Sequence, residues 1–263
     1  MFAKVLQTNS ALDPSATFGQ EIVQVKSLLS PLRADEVGTI RCIGLNYRDH
    51  AAELKLPIPS TPTVFLKANT CLNSPAGRIY YPHSAGDHDC LLDYEVELAV
   101  VIAETCKDVP ETDAMQYVLG YMTANDVTSR KHQQEVSQWD HGKGFDGFCP
   151  IGPTLVSSQA IPDPSVLRLR TVLNGKVMQD GKARDMIFSV PKIVSFLSQG
   201  CTLQKGTIIL TGTPCGIGIS RDPVVCLSEG DELHVSISHG LGTLTNSISR
   251  GLLSERPASL LRL

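Results

Sequence analysis

Aromatic side chains make up only 5% of the 263 residues, and Lys and Arg never gather into a run. These two shortages remove the basic stripe with stacking platforms by which proteins hold nucleic acids, so no nucleic-acid partner is expected. No apolar stretch is long enough to cross a bilayer, and no membrane association is expected either. The N-terminal segment has no apolar signal core and its first arginine is Arg33, which argues against a secretory signal and a strong mitochondrial presequence. Eight cysteines, at 42, 71, 90, 106, 149, 201, 215 and 226, never adopt a Cys-x-x-Cys spacing. Structural zinc motifs and dithiol redox motifs are thereby excluded, and His83, His88 and Cys90 fit no standard zinc pattern. Free thiols in apolar runs suit a reducing compartment. The cytoplasm is the expected location, with mitochondria left open.

What is present is enough apolar material for a substantial core, 42% of the chain, under a mild net charge of -4. With no internal repeat or long linker, the chain reads as one mixed unit rich in short strands. Residues 1–37 are expected to form N-terminal accessory strands, Phe2 to Gln7 and Glu21 to Leu28, and residues 38–263 the catalytic domain. Thr39 to Leu45 reads as a strand ending at Asn46, a candidate cap for a helix of about two turns through Leu54 that the prolines at 57, 59 and 62 terminate. Pro110 to Leu119 has helical spacing. Gly120 to Asn125 reads as a strand, Val127 to Val136 as a polar helix, and Gly142 to Pro150 as an irregular loop. Asn174-Gly175 signals a tight hairpin, Ser189 caps a helix to Gln199, and Glu232 to Ile237 pairs with Thr243 to Ile248.

The stretch Leu91 to Val101 organises the rest. Its apolar and acidic residues alternate with period two, placing Leu92, Tyr94, Val96 and Leu98 on one strand face and Asp93, Glu95 and Glu97 on the other. Carboxylates so close repel one another and call for a cation. Asp126, where strand gives way to helix, supplies a third acid, making Glu95, Glu97 and Asp126 an all-oxygen set suited to magnesium or manganese. A solvated acidic edge for the pair, and a helix cap for Asp126, are the competing readings. His50 and Glu53, spaced i, i+3, share a helix face on which the carboxylate can orient the imidazole; a weak surface pair is the alternative. Lys143 can stabilise developing negative charge, although most lysines are solvated. Thr211 to Gly218 can present backbone N–H groups to a carboxylate or serve as an ordinary turn, and Arg130 can reach the same site from four residues after Asp126. Cys149 and Cys215 are read as inert thiols, since neither has a neighbouring histidine in sequence.

Several motifs together carry a resemblance: Gly44-Leu45-Asn46-Tyr47-Arg48-Asp49-His50, Asp93-Tyr94-Glu95-Val96-Glu97-Leu98, Asn125-Asp126-Val127-Thr128-Ser129-Arg130, Lys143-Gly144-Phe145-Asp146 with Cys149-Pro150-Ile151-Gly152-Pro153, and Thr211-Gly212-Thr213-Pro214. In this order, from about Arg41 to Ile248, the chain resembles the fumarylacetoacetate hydrolase family. The resemblance implies an α+β fold, a mixed β-sandwich roll rich in short strands, usually found as a homodimer. It implies Mg2+ or Mn2+ held by Glu95, Glu97 and Asp126, and a water-activating pair His50 and Glu53 on a short lid helix. It further implies Lys143 as the active-site lysine, with Arg130, Gln133, Gly212 and Thr213 lining the substrate pocket. Lys131 departs from the acidic residue that often follows the arginine of the family motif. The expected substrate is a small enolisable 2-oxo carboxylic acid, and the expected reaction hydrolytic C–C cleavage of an acylpyruvate-type compound. Keto-enol tautomerisation or decarboxylation of oxaloacetate at the same site is the alternative, ahead of a non-catalytic binding role or a specialised biosynthetic enzyme that keeps the fold.

Overall fold

The turn signals and apolar alternation resolve, in a computed structural model that describes residues 1–8, 10–82 and 91–250, into many short strands and a few short helices. In chain order these are β1 (Phe2–Leu6), β2 (Phe18–Gln24), β3 (Ile40–Ile43), α1 (Arg48–Glu53), β4 (Val64–Lys67), β5 (Leu72–Asn73), β6 (Ile79–Tyr80), β7 (Leu92–Asp93), β8 (Val96–Ile102) and β9 (Val118–Asn125). There follow β10 (Thr128–Ser129), α2 (Arg130–Glu135), α3 (Asp140–Lys143), β11 (Cys149–Ser157), β12 (Arg168–Leu173), β13 (Lys176–Lys182), α4 (Val190–Ser198), β14 (Ile208–Leu210), β15 (Glu232–Ile237) and β16 (Gly242–Ser249). A seven-stranded mixed sheet runs β4-β3-β14-β8-β9-β11-β5, and a five-stranded sheet runs β13-β12-β15-β16-β6. The small ribbons β1-β2 and β7-β10 complete the α+β arrangement. None of the helices described is long and apolar enough to cross a membrane.

β8 is the central strand, antiparallel to both β14 and β9, and every one of its residues is buried. The second sheet covers one face of β8, with β12 and β15 packing across it. Each fully buried Leu, Val or Ile of this kind contributes about 1.5–3 kcal/mol. Cross-sheet hydrogen bonds fix the stacking: Thr123 Oγ1 donates to Gly242 O at 3.2 Å, and the Val96 N–H donates to Gln179 Oε1 at 3.0 Å. The β12-β13 turn has Asn174 at φ 48° and Gly175 at φ 79°, the pair of positive values that a two-residue hairpin requires. In α4, Ser189 accepts from the Lys192 N–H and Gly200 follows the helix with φ 68°, so this helix starts and stops as its sequence predicts.

Other expectations are corrected. Leu91 to Val101 is not one strand. Tyr94 and Glu95 interrupt it: Asp93 pairs with Thr128 in β10, whereas Val96 pairs with Asn125 in β9. Asp93, Glu95 and Glu97 are buried, which removes the solvated-edge reading. The helix predicted from Val127 begins only at Arg130, because Thr128 and Ser129 are taken up by β7. Pro110 to Leu119 forms one 3-10 turn, Ala114–Tyr117, before β9 begins. Gly142 to Pro150 is not wholly irregular, since it contains the end of α3 and the start of β11. The loop expected at His83 to Cys90 lies outside the described residues.

Asn46 does not cap α1, whose N-cap is Tyr47. Its amide is buried and donates to Thr211 O at 2.7 Å and Phe188 O at 3.1 Å while accepting from the Phe188 N–H at 2.8 Å. It thereby ties the end of β3 to the segments before α4 and after β14. Replacing it would leave these buried backbone groups without a partner, each at about 1–3 kcal/mol. Asn46→Ala is expected to lower the unfolding free energy in urea by about 2–4 kcal/mol; a loss below about 0.5 kcal/mol would contradict this bracing role.

Candidate active site

The β8-β9 register builds the site. Val96 lies opposite Asn125, so the residues just beyond the pair, Glu95 and Asp126, meet at one end of the sheet. The Asp126 N–H donates to Glu95 O at 2.9 Å, and the Glu95 N–H to Asn125 Oδ1 at 3.0 Å. Glu97 sits one pleat further along β8, where its Oε2 accepts from the Gly212 N–H at 2.6 Å. A Cβ at Gly212 would stand 2.8 Å from Asn46 Cβ, and its φ of 93° also requires glycine. One oxygen from each of Glu95, Glu97 and Asp126 lies within 4.8 Å of the others.

Three buried cations converge on these acids. Lys143, at the end of α3, donates from Nζ to Asp126 Oδ2 at 2.6 Å, Thr128 Oγ1 at 2.8 Å and Glu95 Oε2 at 3.0 Å. Lys67, at the end of β4, holds the other Asp126 oxygen at 2.6 Å and also donates to Phe148 O. Arg130, at the start of α2, pairs through Nη2 with Glu95 at 2.6 Å and Asp93 at 2.8 Å. Asp93 is the anchor of this arginine, and it also accepts from the Gly218 and Ile219 N–H groups.

Among the described residues, four buried carboxylates, Asp93, Glu95, Glu97 and Asp126, therefore share three buried cations. The imbalance falls unevenly. For Glu95, burial pushes the carboxyl pKa up, but Lys143 and Arg130 outweigh it and bring it down to about 2. For Glu97, burial and then the Asp126 and Glu95 carboxylates push it well above the carboxylate range, against weaker help from Lys143 and Gly212. Burial lowers the pKa values of Lys67, Arg130 and Lys143, yet their carboxylate partners raise them further, so all three stay charged. An all-oxygen donor set that is one positive charge short fits a hard divalent cation such as Mg2+ or Mn2+.

His50 lies across the same cavity. Its Nδ1 is 2.8 Å from Glu53 Oε2, and Glu53 Oε1 accepts from Ser220 Oγ at 2.6 Å and the Gly216 N–H at 2.8 Å. Burial raises the Glu53 pKa, but these three hydrogen bonds outweigh it and hold the carboxyl below its ordinary 4.5. The anchor is thus fully present above pH 4.5 and is lost as pH falls through the lower folded value. A cavity of about 450 Å³ is lined by His50, Glu95, Arg130, Gln133, Lys143 and Thr213, together with apolar side chains. Of the sequence-predicted residues these six line the space; Glu53, Glu97, Asp126 and Gly212 are not among its lining residues and stand behind it, Glu53 on His50, Asp126 on Lys143 and Gly212 on Glu97. Gln133 Oε1 accepts from Arg130 Nη1 at 3.1 Å, whereas the Thr213 hydroxyl is engaged with Val96 O and Gln179 Nε2. Asp126 is an ion-pair partner rather than a helix cap. Cys215 is held up at about 12 by burial and Asp49, and Cys149 is raised by its contact with Cys71 and by burial, as inert thiols require. Sequence reasoning passed over Lys67 and Gln179, and it placed Asp93 on the acidic face without giving it a role. Only Asp93 carried a signal, in the acidic alternation.

The fold and this site define a β-roll with a buried acidic centre, and the family profile described as fumarylacetoacetate (FAA) hydrolase C-terminal matches residues 39–249. The chain belongs to the fumarylacetoacetate hydrolase family. It is 42% identical over 248 residues to the caffeoylpyruvate hydrolase of Neonothopanus nambi, covering 93% of this chain and 79% of that protein. It is 40% identical over 209 residues to the mitochondrial oxaloacetate tautomerase FAHD2A of Bos taurus, covering 79% and 65%. Among solved structures, the 2-hydroxyhepta-2,4-diene-1,7-dioate isomerase of Mycobacterium marinum superposes with a TM-score of 0.79 at 35% identity, over 94% of this chain and 87% of that one.

The raised Glu97 pKa has a measurable consequence. Because burial and the Asp126 and Glu95 carboxylates push the Glu97 carboxyl up, loading with Mg2+ or Mn2+ is expected to release protons and to tighten as pH rises. Calorimetry in buffers of different ionisation enthalpy reads both; pH-independent binding without proton release would contradict the raised Glu97 pKa.

Proposed function

We propose that this protein is a divalent-metal-dependent hydrolase that cleaves the C–C bond of an acylpyruvate-type 2-oxo acid. The observation that carries the reading is the meeting, in one cavity, of a buried carboxylate–lysine cluster with a carboxylate-oriented histidine. Glu95, Glu97 and Asp126 would hold the cation. When bound, it supplies Lewis-acid polarisation of the substrate oxygens, worth several kcal/mol.

The remaining work falls to side chains. Arg130, braced by Asp93 and Gln133, offers positive charge to the substrate carboxylate. Glu53 keeps the His50 proton on Nδ1, which leaves Nε2 to take a proton from water. The hydroxide attacks the distal carbonyl carbon, and the bond between that carbon and the neighbouring methylene breaks. Its electron pair passes to the pyruvate fragment as an enolate, and the proton held by His50 is available to complete the methyl group. Lys143 compensates the negative charge as it develops. General-base action of this kind contributes about 10² to 10⁴ in rate.

A second reading is a keto-enol tautomerase of oxaloacetate, favoured by the likeness to the bovine enzyme. It needs the enolising cluster but no attacking water. NMR analysis of acetylpyruvate and oxaloacetate enol, incubated with metal-loaded protein and with a chelator-treated control, separates the two. Acetate and pyruvate formed from acetylpyruvate only with metal is the expected result. Faster ketonisation of oxaloacetate without any cleavage would replace the hydrolase with the tautomerase.

A further inference from the structure

The cavity has a second wall, different in kind from the charged one. Trp139 immediately precedes α3, so one helical turn carries both this indole and Lys143. Lys143 Nζ stands 5.2 Å from the centroid of the Phe65 ring, and Phe65 meets Trp139 edge to face with centroids 5.5 Å apart. Contacts therefore run in order from the carboxylate cluster through Lys143 and Phe65 to Trp139. Leu54, Leu56, Ile217 and Ile219 extend this apolar lining. Among the described residues, the ionisable ones lining the cavity are His50, Glu95, Arg130 and Lys143, and all four belong to the catalytic end already described.

The indole is firmly seated. A Cβ at Gly44 would come within 3.0 Å of Trp139 Cζ3 and 3.1 Å of Thr63 Cβ, so the ring lies directly against the β3 end of the backbone. Phe65 and Trp139 are only half-buried and Leu56 is 51% exposed, leaving an open apolar surface next to a charged centre. Such a surface gains most from a flat apolar group that it can enclose. A charged group there would lose water and find no partner.

We propose that the acyl end of the substrate is an uncharged aromatic group packed against Trp139 and Phe65, and that Trp139 determines this specificity. The proposal rests on the acylpyruvate reading above and narrows it. It places the acyl carbonyl between the His50 side of the cavity and the aromatic wall, with the 2-oxo acid end toward Lys143 and Arg130.

The test compares kcat/KM of the metal-loaded protein for acetylpyruvate, benzoylpyruvate and 2,4-dioxoheptanedioate, whose tail ends in a carboxylate. Benzoylpyruvate is expected to exceed acetylpyruvate by about tenfold or more, with the carboxylate-tailed compound the poorest. Trp139→Leu is expected to reduce the benzoyl-to-acetyl ratio by about tenfold, chiefly through KM, while Trp139→Phe retains most of it. Gly44→Ala, which presses on the indole without removing it, should also lower the ratio. Cleavage of acetylpyruvate with equal or greater efficiency, and a ratio indifferent to Trp139, would overturn the aromatic assignment and leave the hydrolase reading standing. Failure of all three substrates would instead remove the hydrolase reading. In that case binding still decides the wall: Trp139 is the only tryptophan of the chain, so its fluorescence reports directly on this surface. Quenching by 2-oxo-4-phenylbutanoate at concentrations at least about tenfold lower than by 2-oxobutanoate supports the aromatic site, and equal quenching overturns it.

Discussion

Four carboxylates buried against three cations at the end of a β-sheet set the terms for the rest of the molecule. A buried ionised group is costly unless paired, and removing one partner of such a pair leaves the other exposed to the full desolvation penalty, about 3–5 kcal/mol. Every element around the site serves that constraint. β4 ends on Lys67, α3 ends on Lys143 and α2 starts on Arg130, and each of these cations reaches an acid from β7, β8, β9 or the short breaks between them. The break at Tyr94-Glu95 is part of the same solution. It lets Asp93 turn toward Arg130 and the 218–219 backbone while Glu97 continues into the core strand.

The histidine side is held by a different network that meets the first one in the 212–220 segment. Gly212 donates to Glu97, Gly216 and Ser220 donate to Glu53, and Gly218 and Ile219 donate to Asp93. One loop therefore reads the position of the acidic cluster and of the helix that carries His50. Gln179 supports it from the second sheet, donating to Thr213 Oγ1 and Pro214 O at 2.8 and 2.9 Å. The two sheets of the roll are thus joined at the loop on which both halves of the site depend.

Much of this was legible where the signal is local. His50 and Glu53 sit three residues apart on one short helix, and the alternation through Asp93, Glu95 and Glu97 marks an unusual concentration of acid within an apolar run. The hairpin at Asn174-Gly175 and the Ser189 cap follow from backbone chemistry that needs only neighbouring residues. What depended on distant partners stayed hidden. Lys67 looks like any lysine ending a strand, and its burial depends on Asp126, 59 residues away. Asn46 looks like a helix cap because its three partners lie 142 and 165 residues away in the chain. Gly142 looks like a helix breaker, yet it lies in α3. A Cβ there would stand 2.6 Å from the Gln133 N atom, so its glycine serves the close packing of α3 on α2.

The central claim is that one cavity holds two independent devices, an acidic cluster that binds the cation and a histidine that activates water. His50→Ala tests it most directly, with cleavage and cation affinity measured on the same preparation. The account predicts that acylpyruvate cleavage falls by about 10² to 10⁴ while affinity for Mg2+ or Mn2+ stays within about twofold. Retained cleavage, or cation affinity lost together with it, would contradict the division of roles between His50 and the Glu95, Glu97 and Asp126 cluster.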